Sequence, residues 1–316
     1  MQLSPQPQRG SVLGTLNILE NGAILLADGR ILAVGPQEEL LATYPHAERL
    51  DAAGRAVVPG FVDPHTHLVW AGARVNEFEM RLQGKTYMEI MAAGGGIAAT
   101  VNATRKASLD ELIAQSRLRA QRAFSLGTTT MEAKSGYGLD LETEYRQLEA
   151  VLALDQEGPL ELVPTWMGAH AIPPEYKDRP NDYLDFLCER ALPDLKAWWQ
   201  RHAPQRPLPF VDVFCEQGVF ELDATRQILL AARSLDFPLK LHVDEFANLG
   251  GASLAAELGA VSADHLVRTG KGDIERLAAS ETVAVSLPAT PFGLAESEYT
   301  PAREIIAADA YLALAS

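Results

Sequence analysis

From residue 57 onward, short apolar segments alternate with segments of helical length, and this alternation narrows the folds open to the chain more than any other feature. The apolar segments are VVPGFVDPHTH, GTTTMEAKSG, LELVPTWMGAH, PFVDVFCEQG, PLKLHVDEF, AVSADHL and TVAVSLPAT, and an eighth begins at YLALAS. Between them lie SLDELIAQSRLRAQRAFSLG, LETEYRQLEAVLALDQEG, PNDYLDFLCERALPDLKAWWQRHAP, LDATRQILLAARSLDFP and NLGGASLAAELG. These carry apolar residues at the i, i+3, i+4 spacing of a helix with one buried face. Strands that are apolar throughout are covered on both sides, which is the condition of a parallel sheet with helices outside it. The rhythm over 58–316 therefore predicts a (β/α)8 TIM-like barrel. Ser108 followed by Glu111 predicts a capping box at the start of the first long helix.

Residues 1–57 read differently, as a small β-rich domain. Asn21-Gly22 and Asp28-Gly29 stand between apolar runs, a hairpin signal, and EELLATYPHAERL predicts one short helix. A unit this small is expected to pack on something larger. HAPQRPLP (202–209) reads as a surface loop, and WWQRH (198–202) as interface or ordinary surface. Met80, Met88 and Met91 read as packing residues. Gly94–Gly96 is not followed by the lysine of a phosphate loop and reads as a flexible loop over a site.

The formal net charge of −15 argues against nucleic acid as a partner, because phosphate backbones require clustered Lys and Arg. An anionic small molecule stays compatible only if a local basic group opposes the global field. Cys188 and Cys215 are too few for a disulfide scaffold and read as free thiols of a reducing compartment. The opening MQLSPQPQRGSVLG lacks an apolar signal-peptide core, and no apolar stretch reaches the ~18–20 residues of a membrane span. The expectation is a soluble cytoplasmic protein with no membrane partner.

In a parallel barrel the chemistry sits at the C-terminal ends of the strands, and the unexpected polar residues fall there. His65 and His67 end the first strand, Glu132 and Lys134 the next, with Tyr137 following. His170, Glu216, then His242, Asp244 and Glu245, then Asp264 and His265 end later ones. In a strand, residues i and i+2 face the same side, so His65 and His67 present two imidazoles to the barrel interior. Neutral imidazoles so spaced bind one divalent ion at roughly 2.0–2.1 Å per nitrogen. The plainer alternative for an isolated H-x-H is a hydrogen-bonded pair of core histidines. Arg74, taken singly, reads as a solvated surface arginine, and Tyr137 as a packing aromatic.

VVPGFVDPHTHLVWAGAR resembles the signature of the amidohydrolase superfamily, metal hydrolases built on a (β/α)8 barrel. GGGIAATVNATR, GTTTMEAKSGYGL, GAHAIPPEY, DVFCEQGVF and LKLHVDEFANLGGA, in that order, resemble the imidazolonepropionase family within it. The resemblance covers 15–316. It implies hydrolysis of the ring carbon–nitrogen bond of 4-imidazolone-5-propanoate to N-formimidoyl-L-glutamate, in histidine degradation. It implies one divalent metal ion, zinc or iron, held by His65, His67 and His242. It implies Glu245 and His265 as catalytic residues, and Arg74, Tyr137, His170 and Glu245 as contacts to the anionic imidazolone substrate. A homodimer and a small N-terminal β-sandwich domain are implied as well. The chemistry agrees: a metal polarises an unreactive lactam carbonyl and lowers the pKa of bound water. A carboxylate such as Glu245 takes the water proton, and Arg74 forks onto the propanoate. Lys134 reads as a buried or substrate-side lysine rather than a carboxylated, metal-bridging one.

The family pattern also implies an aspartate ligand ending the eighth strand, where this sequence reads YLALAS to Ser316. The expectation is a truncated chain, lacking the end of the barrel and the β strands returning to the N-terminal domain. Two further readings stay open: another cyclic amidohydrolase, acting on a hydantoin-like or dihydropyrimidine ring, and a non-catalytic metal-binding fragment.

Overall fold

Eight parallel strands follow one another around a nearly closed sheet in chain order, each hydrogen-bonded to the next. They are β3 (Phe61–Asp63), β4 (Thr128–Lys134), β5 (Glu161–Ala169), β6 (Phe210–Cys215), β7 (Leu239–Val243), β8 (Ser262–His265), β9 (Val283–Ser286) and β10 (Leu312–Leu314). The computed structural model describes residues 7–85, 89 and 95–316. Met88, Met91 and Gly94 lie outside the described residues.

All seven expected strands and the eighth at YLALAS are present; the inner ones bury both faces, while β3 and β10, on either side of the gap, leave Phe61, Val62 and Leu314 exposed. β7 is buried along its whole length. β3 is short, but the chain beyond it stays beside β4, where Lys134 N–H donates to the Thr66 carbonyl (2.9 Å). β3 and β10 form no ladder. The gap between them is bridged where the Ser316 amide and hydroxyl donate to the Asp63 carboxylate (3.2 and 2.5 Å).

The expected helices follow their strands: α4 (Leu109–Ser125), α5 (Leu141–Glu157), α8 (Leu222–Ser234) and α9 (Gly251–Leu258); α10 (Lys271–Ala278), which was not among the expected segments, follows β8. The long segment after β5 forms α6 (Pro180–Phe186) and α7 (Leu192–His202), joined by one π turn. Between β3 and β4 lie two more, α2 (Val75–Leu82) and α3 (Ile97–Lys106). Two short ones, α11 (Ala289–Leu294) and α12 (Ala302–Ala307), precede β10. Trp198 and Trp199 are buried rather than surface residues. Their positions fall on the inner face of α7, where Trp199 Nε1 donates to the Pro207 carbonyl (2.9 Å).

At the N-terminus β1 (Gly22–Ala27) pairs antiparallel with β2 (Arg30–Pro36), and α1 (Gln37–Thr43) follows. Asp28 and Gly29 make the turn, both in the left-handed region at φ 50° and 70°, as a two-residue hairpin requires. Asn21-Gly22 is not a second hairpin; it leads into β1. Among the described residues this two-stranded ribbon, the helix and one 3-10 turn (Gly10–Val12) are the regular structure of the expected β domain, so a second sheet of a β-sandwich is not seen there. Both cysteines are free, and no helix among the described residues is long and apolar enough to cross a membrane.

The capping box forms as expected. Ser108 Oγ accepts from the Glu111 amide (3.2 Å), and the Glu111 carboxylate accepts from the Ser108 amide (2.8 Å). Ser108→Ala should cost about 1 kcal/mol of unfolding free energy in a urea titration; no change would mean that the cap is redundant.

Candidate active site and metal centre

The C-terminal strand ends gather five of the chain's seven histidines. His65 and His242 have ring centroids 4.4 Å apart, and His265 lies 5.1 Å from each. His67 stacks on His170 at 4.8 Å and stands 5.4 Å from His242. The expected ligands His65, His67 and His242 are thus brought together, with His242 in the middle. Two convergences of donor atoms share it: His65, His242 and His265 form one group, His67, His170 and His242 another, while His65 also meets Glu132 and Asp264.

What fixes these rings lies beneath them. His65 Nδ1 meets Asp264 Oδ2 at 2.6 Å, and His242 Nδ1 meets Asp212 Oδ1 at 3.0 Å. A carboxylate accepts only, so each ring donates Nδ1–H and turns an Nε2 lone pair into the site. Burial, then the charge of Lys134, pushes both pKa values well below the ordinary histidine range, so both rings are neutral. His67 Nε2 faces His242 Nε2 at 3.2 Å, and His67 Nδ1 is buried without a partner. Neutral imidazoles, two of them braced by carboxylates, with nitrogens gathered in two groups that overlap at His242, fit a divalent metal ion.

The carboxylates are held in turn. Lys134 Nζ donates to Asp212 (2.5 Å) and Glu132 (2.9 Å) and lies 3.5 Å from Asp264. Lys240 Nζ donates to Glu132 (2.9 Å) and to the Pro64 carbonyl (2.8 Å). Burial alone would lower the Lys134 pKa, but Asp212, then Glu132 and Asp264, outweigh it and hold the ammonium protonated. A protonated amine has no lone pair for carboxylation, which supports the buried-lysine reading. Asp212 and Lys240 were missed from sequence, although each is a charge inside an otherwise apolar strand. Lys240 is two residues before His242, on the same face.

Glu245 follows β7, and its carboxylate lies 3.7 Å from His265 Nδ1. Burial, then the like charge of Glu216, raises the Glu245 pKa to about 8, while burial lowers His265 to about 4. Glu216 is itself fixed by the Phe246 and Gln217 amides (both 2.9 Å). Asp244, His265 and Leu266 all sit at positive φ (54°, 79° and 61°), so the backbone is strained at the two strand ends that carry Glu245 and His265.

Arg74 and Tyr137 line one cavity of about 430 Å3, together with Trp70, Glu77, Phe78 and Arg81. The Tyr137 ring is 5.3 Å from both His67 and His170, so the cavity adjoins the imidazole cluster. Burial raises the Tyr137 hydroxyl to about 12. The loop that carries Tyr137 is braced by α5. Glu144 accepts from the amides of Gly136, Gly138 and Leu139 (3.0, 2.8 and 2.8 Å), and Gln147 from that of Tyr137 (3.2 Å). Gly136 has φ 104°, and a Cβ there would stand 3.0 Å from His170 Nδ1, so the SGYG turn requires glycine. Glu144 and Gln147 also escaped the sequence reading, although both are polar residues on the buried stripe of a helix.

Residues 22–47 match an imidazolonepropionase-like composite domain of bacteria, and residues 48–109 match the amidohydrolase family. An imidazolonepropionase of Herpetosiphon aurantiacus is 51% identical over 311 residues, 98% of this chain and 72% of that protein. The chain belongs to the imidazolonepropionase family. Family members from Symbiobacterium thermophilum (48% identical) and Bacillus cereus (46%) are each matched over 98% of this chain, and over 72% and 71% of their own lengths. Among solved structures, a 5-methylcytosine deaminase of Klebsiella pneumoniae superposes with a TM-score of 0.65 at 18% identity, covering 92% of this chain and 70% of that one. An atrazine chlorohydrolase of Arthrobacter aurescens, complexed with zinc and atraton, gives 0.61 at 14% identity, covering 94% and 67%. At such identities the likeness is one of fold. It places the imidazolonepropionase sequence on the amidohydrolase barrel.

Lys134→Met should destabilise the protein by about 3–5 kcal/mol, because it leaves buried carboxylates without their cation. Chemical denaturation checks this, and a loss below about 1 kcal/mol would show the network to be dispensable.

Proposed function

We propose that this site hydrolyses the ring carbon–nitrogen bond of 4-imidazolone-5-propanoate, giving N-formimidoyl-L-glutamate, with one divalent ion, zinc or iron, held by His65, His67 and His242. The observation that carries the reading is the junction of two environments. Carboxylate-backed imidazoles and a carboxyl–imidazole pair stand beside a cavity lined by Arg74 and Tyr137. When bound, the ion polarises the ring carbonyl and lowers the pKa of a water. Imidazole nitrogens suit zinc and iron alike.

The chain's own residues do the rest. Arg74 takes the propanoate carboxylate by charge-assisted hydrogen bonds. Tyr137 and His170 wall the ring, and the His170 ring is set by Nδ1–H donation to the Gly136 carbonyl (2.9 Å). Glu245 accepts the proton from the attacking water and returns it to the departing ring nitrogen. His265, neutral at pH 7, stands where it can hydrogen-bond the developing oxyanion. A Glu245 pKa near 8 gives the base form as pH rises through that value. A nearby cation favours the carboxylate and moves this limb toward neutral pH.

Purified protein should contain one zinc or iron per chain by elemental analysis and consume 4-imidazolone-5-propanoate. Failure to turn over that substrate in the metal-loaded protein would reject the reading. Glu245→Gln should lower kcat by about 10²- to 10⁴-fold with metal content unchanged; loss of metal would show that the residue's role is different. Glu216→Gln removes the like charge that raises Glu245, so the acid limb of kcat/KM should move to lower pH. A limb that stays in place would show that Glu216 does not act on Glu245.

A further inference from the structure

The cavity beside the imidazole cluster must accept an anion in a chain of net charge −15, and its charge balance does not rest on Arg74. Arg74 caps α2, and Glu77 lies one turn on. The Glu77 carboxylate accepts from Arg74 Nε at 2.9 Å and lies 2.8 Å from its Nη2, a two-pronged pair. The same carboxylate accepts the Gly96 amide (2.8 Å) and is almost fully buried. Burial pushes the Glu77 pKa up, but the hydrogen bonds from Arg74 and Gly96 more than offset this, so the group is ionised. Arg74 and Glu77 together are therefore close to neutral. A neutral pair cannot oppose the global field for an incoming carboxylate.

Arg81 supplies the missing charge. It is four residues past Glu77, on the same face of α2, with Nη2 3.8 Å from the Glu77 carboxylate. Its Nη1 donates to the Gly293 carbonyl on α11 (3.1 Å), so the side chain spans from one cavity wall to the other. Arg74, Glu77 and Arg81 are the charged residues among the described cavity lining, and they sum to one positive charge. We propose that Arg81 is a second carboxylate-recognising, specificity-determining residue, and that Glu77 holds the two guanidinium groups in register for one anionic tail.

The inference rests on the proposed reading that an anionic substrate enters this cavity. Its test uses equilibrium binding, which needs no turnover. The probes are 3-(imidazol-4-yl)propanoate and its carboxamide, which share the ring and differ in tail charge, titrated calorimetrically into the full chain. The parent should prefer the acid. Arg81→Met should weaken acid binding about tenfold or more while leaving amide binding within about twofold, and Arg81→Lys should recover part of the preference. Unchanged amide binding also reports that the variant is folded. If Arg74→Met collapses the acid-to-amide ratio while Arg81→Met leaves it unchanged, the inference is wrong and the proposed reading stands. If neither substitution changes the ratio, the anion does not bind here, and the reading beneath the inference fails with it.

Discussion

The ammonium of Lys134 sits among Asp212, Glu132 and Asp264 on the floor of the barrel, and two of these carboxylates also hold the ring N–H groups of His65 and His242. Charges this deep survive only when all of them are paired and hydrogen-bonded. The barrel meets that demand by drawing the partners from four strands: β4 gives Glu132 and Lys134, β6 Asp212, β7 Lys240 and His242, and β8 Asp264. The parallel register sets His242 directly opposite Asp264 and next to Phe214. Three carboxylates against two ammonium groups leave one surplus negative charge beneath neutral imidazoles, an environment that attracts a cation. The histidines are thus oriented by the fold before any ion arrives.

Above this floor the site is built from a different kind of structure. Glu245 and Tyr137 stand on the turns leaving β7 and β4, His265 at the very end of β8 where its turn begins, and Arg74 and Arg81 on a helix that is not part of the strand–helix ladder. The strained backbone at Asp244, His265 and Leu266 belongs to these turns. A rigid floor that orients donors and an adaptable mouth that selects the substrate is the division of labour expected of a barrel enzyme.

The barrel was legible because burial on both faces forces strands to be apolar throughout, so their segments stand out from the helices between them. The H-x-H pair was legible because histidines gain nothing by interrupting such a segment. The network under them was not. Asp212 and Lys240 each look like a local anomaly, and pairing them with His242 and Glu132 requires the register of neighbouring strands, which is a tertiary property. Glu144 and Gln147 were hidden for a similar reason. Their polar side chains lie on a helix's buried stripe, and only the fold shows that the stripe meets the backbone amides of the Tyr137 loop. Trp198 and Trp199 read as interface or ordinary surface because Gln200, Arg201 and His202 follow them, yet the helix turns both rings inward.

The central claim is that the floor network holds His65 and His242 in one tautomer, with hydrogen on Nδ1 and the lone pair on Nε2. The most direct measurement is ¹⁵N-edited NMR of the imidazole rings in chelator-treated protein at neutral pH, with the two residues assigned by single substitution. The account predicts neutral rings protonated at Nδ1 for both. Rings protonated at Nε2, or imidazolium at either residue, would contradict it.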